Sequence, residues 1–299
     1  AAGEIFGIPR LVSVPLAAFF VWVIVLRASY ATVEKVFLVA CLFYVSYLVA
    51  GFYSHPSAGD IARALAVPRL FPEPGYLVML VALVGTTIAP WMQFYQQSSV
   101  AEKNIRVSDY ALSRLDTIVG CLAVTVVAVF IVVVCSTHLH SQGIEIESAG
   151  DAARALIPVA GRYAAGLFAF GLFNASLFAA SILPLSTSYT ICEGLGWESG
   201  VNKSFHEARE FYILYTSLIV LGAGFILFPG VSLLGIMYVS QVVNGILLPA
   251  VLYFMLKLIN DRGLMGRHVN SAIFNIVAGV LAIGIAILAL ASAGLVIFG

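Results

Sequence analysis

Residues 76–99 read YLVMLVALVGTTIAPWMQFYQQSS, an apolar run interrupted near its middle by Gly85, Thr86, Thr87 and Pro90. The run is long enough for a helix across a bilayer core of roughly 30 Å. Pro90 has no N–H and its ring clashes with the carbonyl one turn back, so carbonyls near Thr86 and Thr87 are freed. Gly85 lowers the cost of unwinding at the same place. An unpaired carbonyl in hydrocarbon is expensive unless it lines a cavity or holds an ion. Two readings follow. One is a proline kink whose Thr hydroxyls re-bond the backbone; the other is a broken helix of the kind that forms midplane sites in secondary transporters.

Seven further apolar runs surround this one, giving expected spans at residues 11–25, 36–52, 76–94, 118–135, 164–185, 211–228, 231–256 and 273–298. Only helices or closed barrels satisfy their backbone hydrogen bonds in lipid, and runs of this length without alternation are helical. The chain is 61% hydrophobic and only 10% charged over 299 residues, whereas a soluble domain carries about a quarter charged residues. The fold class is therefore an all-α, multi-pass integral membrane protein, read as a single transmembrane domain over residues 1–299. Fifteen basic and fifteen acidic residues balance, so no basic field for nucleic acid exists.

Lys and Arg divide unevenly between alternate loops. Arg27, Lys35, Lys103, Arg106, Arg114, Lys203, Arg209, Lys257, Arg262 and Arg267 fall on one side, and Arg10, Arg63, Arg69, Arg154 and Arg162 on the other. The richer side is expected to be cytoplasmic. The chain opens without Met, at Ala1-Ala2-Gly3-Glu4, and without the charged start of a signal peptide. It reads as a segment of a longer protein.

Ionisable residues in span centres would flag function, but Glu34, Lys35, Asp116 and Glu193 all sit at span ends. A relay of buried carboxylates and histidines is not visible, and the spans hold no constellation for an enzyme. His138 and His140 lie in a polar, acidic loop with Glu145, Glu147 and Asp151. Their two-residue spacing without a Cys partner reads as a solvated loop rather than a metal site. Cys41, Cys121, Cys135 and Cys192 lack paired ligand spacing and read as single buried thiols. In the seventh run Gln241 and Asn244 are three apart and share a helix face. They serve either as oxygen donors to a hydrated ion or as interhelical glue. Asn174, Ser176 and Ser181 in the fifth run read as helix-packing polar residues.

Taken in order, these landmarks resemble the Nramp family of divalent metal-ion transporters. The run Gly85-Thr86-Thr87-Ile88-Ala89-Pro90-Trp91 is similar to that family's broken sixth helix, typically Gly-Ala-Thr-Val-Met-Pro-His. Ser240-Gln241 with Leu247-Leu248-Pro249 resembles its tenth helix, and Asp261-Arg262-Gly263-Leu264-Met265-Gly266 the loop that follows. Glu4-Ile5-Phe6-Gly7-Ile8-Pro9 looks like the end of its third helix. The resemblance implies a LeuT-type inverted-repeat fold, with this chain corresponding to about helices 4–11 and about three helices expected upstream. The family's Asp-Pro-Gly-x-Asn metal motif is absent from the sequence and is expected in that upstream part.

The departures point within the family. Ala89 stands where the resemblance places a metal-binding Met, and Trp91 and Gln96 where it places proton-linked histidines. Thioether sulfur favours softer metals, and its loss suits a hard, partly hydrated Mg²⁺ with oxygen ligands. The combination resembles the Nramp-related magnesium transporters. What this implies is uptake of Mg²⁺, with Mn²⁺ also carried, by alternating access across the plasma membrane and without proton coupling. The metal site would comprise Thr86, Thr87, Ala89, Gln241 and Asn244 around the break made by Gly85 and Pro90. No cofactor is implied beyond the transported ion, and no obligatory protein partner beyond the lipid bilayer. The competing expectations are a proton-coupled Mn²⁺/Fe²⁺ transporter of ordinary Nramp type and a LeuT-fold amino-acid carrier.

Overall fold

The computed structural model describes residues 8–27, 44–53, 57–67, 71, 73–138, 157–230 and 232–298, with isolated positions at 32, 35, 38–39 and 41–42. Every regular element among the described residues is helical. In chain order they are α1 (Arg10–Arg27), α2 (Val45–Tyr53), α3 (Ala58–Ala66), α4 (Pro74–Thr87), α5 (Pro90–Glu102), α6 (Tyr110–His138), α7 (Ile157–Leu195), α8 (Arg209–Leu227), α9 (Leu233–Ile259), the single turn α10 (Arg262–Met265) and α11 (Ala272–Phe298). Seven helical stretches are long and apolar enough to cross a membrane, with α4 and α5 together forming one of them. The eighth expected span, residues 36–52, lies partly outside the described residues, which carry only its end as α2. The loop with His140, Glu145, Glu147 and Asp151 and the stretch Glu4–Gly7 lie outside them as well.

Large apolar side chains stand exposed all along α6 and α11, among them Leu112, Leu122 and Val124 on α6 and Ile273, Val280 and Leu290 on α11. In water such surfaces would drive aggregation; in a bilayer they meet lipid tails as apolar as themselves. Helix association must then come from close packing and hydrogen bonds. Ser and Thr hydroxyls within the helices mostly fold back on their own turn: Ser176 donates to the Leu172 carbonyl and Ser181 to that of Leu177, each at 2.8 Å. Cys192 is buried, but Cys41 and Cys121 are exposed on the helix surfaces, so the expectation of four buried thiols holds for the inner one only.

The chain forms two compact units. One comprises residues 1–68 and 95–231, the other residues 69–94 and 232–299. In the first, α7 packs on α1, α2 and α8, with α1 also against α8 and α2 against α6. Its core joins Val21, Val25, Leu185, Tyr189, Cys192, Phe211, Tyr212 and Tyr215. Trp22 Nε1 donates to Thr216 Oγ1 at 3.0 Å, pinning α1 to α8. Helix α7 runs 39 residues, roughly 58 Å at about 1.5 Å per residue. It exceeds the expected 164–185 span at both ends, and its last turns carry Tyr189 and Glu193, which hydrogen-bond to α5.

The α7–α8 connection is braced from α8. Tyr212 Oη donates to the Lys203 carbonyl at 2.7 Å and lies 3.2 Å from that of Val201. Within the loop, the Ser204 N–H and hydroxyl both donate to Glu207 at 2.7 Å, and these bonds hold the Glu207 carboxyl below its usual range. Lys203 pairs with Glu198.

In the second unit α4, α9 and α11 pack against one another. Ser292 Oγ donates from α11 to the Leu77 carbonyl at 3.2 Å. Asn260 and Asn275 exchange amide hydrogen bonds at 2.9 and 2.6 Å, closing α9 onto α11. The Asp261–Gly266 motif between them is a cap, with Asp261 Oδ1 accepting from the Gly263 N–H at 2.7 Å.

Tyr212→Phe removes the hydroxyl that satisfies a buried loop carbonyl while keeping the ring against Phe211. It is expected to destabilise the solubilised protein by about 1–2 kcal/mol, read as a lower thermal unfolding midpoint; an unchanged midpoint would remove the brace from the account of the loop.

Candidate functional site

The interruption in residues 76–99 divides one membrane crossing into two helices. Helix α4 ends at Thr87; Ile88 leaves the helical region with φ −128° and ψ 69°, Ala89 is non-helical, and α5 begins at Pro90. The last bond of α4 runs from the Ile88 N–H to the Val84 carbonyl at 2.9 Å, and the first bond beyond the break from the Met92 N–H to the Ala89 carbonyl at 3.1 Å. The Thr86 carbonyl cannot receive its helical bond, because the donor four residues on would be Pro90. Thr87 Oγ1 donates to the Leu83 carbonyl at 2.7 Å. The hydroxyl re-bonding of the kink reading is therefore present at Thr87, together with a break that a mere kink does not require.

Thr86 and Thr87 are exposed, whereas Ala89 is only 1% exposed and Pro90 is buried. Gln93 lies one turn into α5. In the amide orientation that satisfies both groups, its Nε2 donates to the carbonyls of Ala89 and Pro90 at 2.7 and 2.8 Å. The sequence reading passed over Gln93; its signal was a lone amide one helical turn after the proline.

Helix α9 meets α4 just before the break. A Cβ added to Gly85 would overlap the Gln241 carbonyl oxygen and the Gly245 nitrogen, and would stand 3.0 Å from the Gly245 Cα. A Cβ on Gly245 would overlap the Val81 carbonyl and come within 2.6 Å of the Val81 Cγ1. Two backbones thus touch directly, which only paired glycines permit. Gly245 was missed from sequence because, as one glycine in an apolar helix, it has no local mark distinguishing it from the others. On the same turn the Asn244 amide donates to Gln241 Oε1 at 3.2 Å, and both side chains are half-buried. The crossing sets the Gln241 main chain against Gly85, the residue before Thr86. Trp91 is half-buried and Gln96 exposed, both on α5.

Chemically this is a neutral, oxygen-bearing site. It offers main-chain carbonyls and threonine hydroxyls at an opened helix end, with Ala rather than a thioether at position 89. Among the described residues, no three His, Cys, Asp or Glu side chains come together as a metal cage. A discontinuous helix in a polytopic helical membrane protein is a feature shared with the midplane sites of secondary transporters.

The particular family follows from comparison. The family model described as Nramp, natural resistance-associated macrophage protein-like, matches residues 1–294, and the chain belongs to the Nramp family. It is 23% identical over 245 residues to the divalent metal cation transporter MntH of Clostridium acetobutylicum, covering 80% of this chain and 54% of that relative. It is 29% identical over 224 residues to the divalent metal cation transporter MntH of Ralstonia nicotianae, covering 69% and 47% respectively. The chain spans about half the length of these curated relatives.

Ala substitution at Gly85 or Gly245 is expected to push α4 and α9 apart and destabilise the protein by about 1–3 kcal/mol. Gly222→Ala on α8, where a Cβ would meet open space, should be neutral or stabilising by up to about 1 kcal/mol. Unfolding midpoints of the three variants in one detergent measure the contrast, and equal effects at all three positions would mean that the crossing is not tight.

Proposed function

We propose that the protein carries divalent metal ions across the membrane by alternating access, with Mg²⁺ as its principal substrate, Mn²⁺ also accepted, and no coupled proton. One observation supports the reading: α4 opens after Thr87, leaving the Thr86 carbonyl without its helical donor, with the Gln241 main chain packed on the neighbouring Gly85. Family membership and the similarity to two divalent metal cation transporters support a divalent metal cation as cargo. The preference for Mg²⁺ rests on the chemistry of this chain's own residues.

In this reading the Thr86 carbonyl, with that of Thr87, faces the ion. Ala89 presents a methyl group where a thioether would select softer metals. Mg²⁺ keeps several of its waters, and Gln241 with Asn244 bonds those waters. The bond from Asn244 to Gln241 Oε1 leaves that oxygen a second lone pair for such a water. Neutral oxygens alone hold a divalent ion weakly, so the proposal pairs them with the carboxylate of the expected Asp-Pro-Gly-x-Asn motif. Trp91 and Gln96 stand where proton-linked histidines are expected, and neither titrates in the physiological range. The plasma membrane is the proposed location.

The test is uptake by the full-length chain in proteoliposomes containing a Mg²⁺-sensitive dye and, separately, a pH dye. Expected are Mg²⁺ and Mn²⁺ influx without acidification of the lumen. Influx of Mn²⁺ alone accompanied by acidification favours the proton-coupled alternative, and competition by amino acids without any Mg²⁺ response favours the amino-acid carrier. Ala89→Met is expected to shift selectivity towards Mn²⁺, whereas Ala89→Leu, similar in bulk but lacking sulfur, should reduce transport of both ions together. Unchanged selectivity in a well-folded Ala89→Met variant would refute the role given to position 89.

A further inference from the structure

At the end of α5 remote from the break, Glu102 occupies the last helical position. A negative charge there opposes the helix dipole, so its retention calls for compensating donors. They come from two other elements. Tyr189 Oη, on α7, donates to Glu102 Oε1 at 2.7 Å; the Val201 N–H, in the α7–α8 loop, donates to the same oxygen at 3.1 Å. The Asn202 side-chain amide donates to Oε2 at 2.9 Å. Gly200 makes room for this seat, with φ +146° and a position where a Cβ would come within 2.7 Å of Glu102 Oε1. The Val201 N–H also lies 3.0 Å from Tyr189 Oη, so loop and helix are joined to each other as well as to the carboxylate.

One turn earlier the tie runs the other way. Ser98, buried on α5, donates to Glu193 Oε1 of α7 at 2.8 Å, and Gln97 Nε2 donates to Glu193 Oε2 at 3.3 Å. Two carboxylates on two helices are thus each held by neutral donors of the opposite element. Between them lies an open cavity of about 300 Å³, lined by Ser98, Glu102, Tyr189, Glu193, Asn202 and Lys203. These bonds fix direction as well as proximity, because Glu102 is held on both oxygens from two elements.

We propose that Glu102 is a positioning residue, an anchor that docks the far end of α5 onto α7 and the α7–α8 loop. With that end fixed, residues 95–102 of α5 keep their orientation on α7 through transport. The transport part of this inference rests on the proposed function, but the anchor itself does not.

The experiment uses the full-length chain with its native cysteines replaced and spin labels on cysteines introduced at the exposed positions Ala101 and Trp197. The parent is expected to give one narrow distance distribution between the labels. Glu102→Ala removes all three hydrogen bonds to the carboxylate; it should broaden the distribution at least about twofold and lower the maximal Mg²⁺ uptake rate by at least about tenfold. The KM should stay within about twofold. Glu102→Gln keeps an oxygen for Tyr189 and Val201 and should restore the narrow distribution. Tyr189→Phe, which removes a single hydroxyl, covers the case in which Glu102→Ala fails to fold, and should broaden the distribution to an intermediate width.

An unchanged distribution in a folded Glu102→Ala or Tyr189→Phe variant overturns the anchor. So does a fall in rate accompanied by an equal rise in KM. A parent protein with no Mg²⁺ uptake refutes the proposed function and leaves the distance measurement as the test of the anchor.

Discussion

The structure depends most on the contact between the backbones of α4 and α9 at Gly85 and Gly245. In hydrocarbon the hydrophobic effect does not drive helices together, since lipid tails solvate Leu and Val as well as other helices do. What remains is close packing, and packing is closest where two backbones meet without side chains between them. The crossing lies five residues before Pro90, so one short stretch both joins two helices and leaves one of them open. A Cβ at either glycine would push the α4 and α9 backbones apart.

The break itself follows from a missing donor. Pro90 deprives Thr86 of its bond, Thr87 turns its hydroxyl back to Leu83, and Gln93 serves the carbonyls at the start of α5. Helix ends in a membrane must be satisfied by something other than water. Here the start of α5 is served by Gln93, while Pro90 removes the helical donor of the Thr86 carbonyl. That asymmetry is the physical basis for treating the α4 end as the candidate ion-facing side.

Polar bonds elsewhere do the joining that apolar contacts cannot do alone. Trp22 to Thr216, Asn260 with Asn275 and the two carboxylates Glu102 and Glu193 all link separate helices or loops. Both carboxylates stand at helix ends, and a span-by-span reading assigns Glu193 to headgroup or water contact and gives Glu102 no role. Their partners lie 87 to 100 residues away in sequence, and no local pattern announces such pairs.

The sequence by itself determined the elements that depend on nearest neighbours along the chain. Long apolar runs with little charge can be satisfied in lipid only as helices, and a proline after Gly85-Thr86-Thr87 can only weaken the helix there. The order of the motifs also pointed to the Nramp family. The tertiary structure alone decided that Gly245, rather than another glycine of α9, meets Gly85; that α7 extends far past its apolar stretch; and that Glu102 is seated by Tyr189, Val201 and Asn202. Those outcomes depend on which surfaces meet across long separations in sequence, and close contact between distant backbones leaves no periodic trace in either helix.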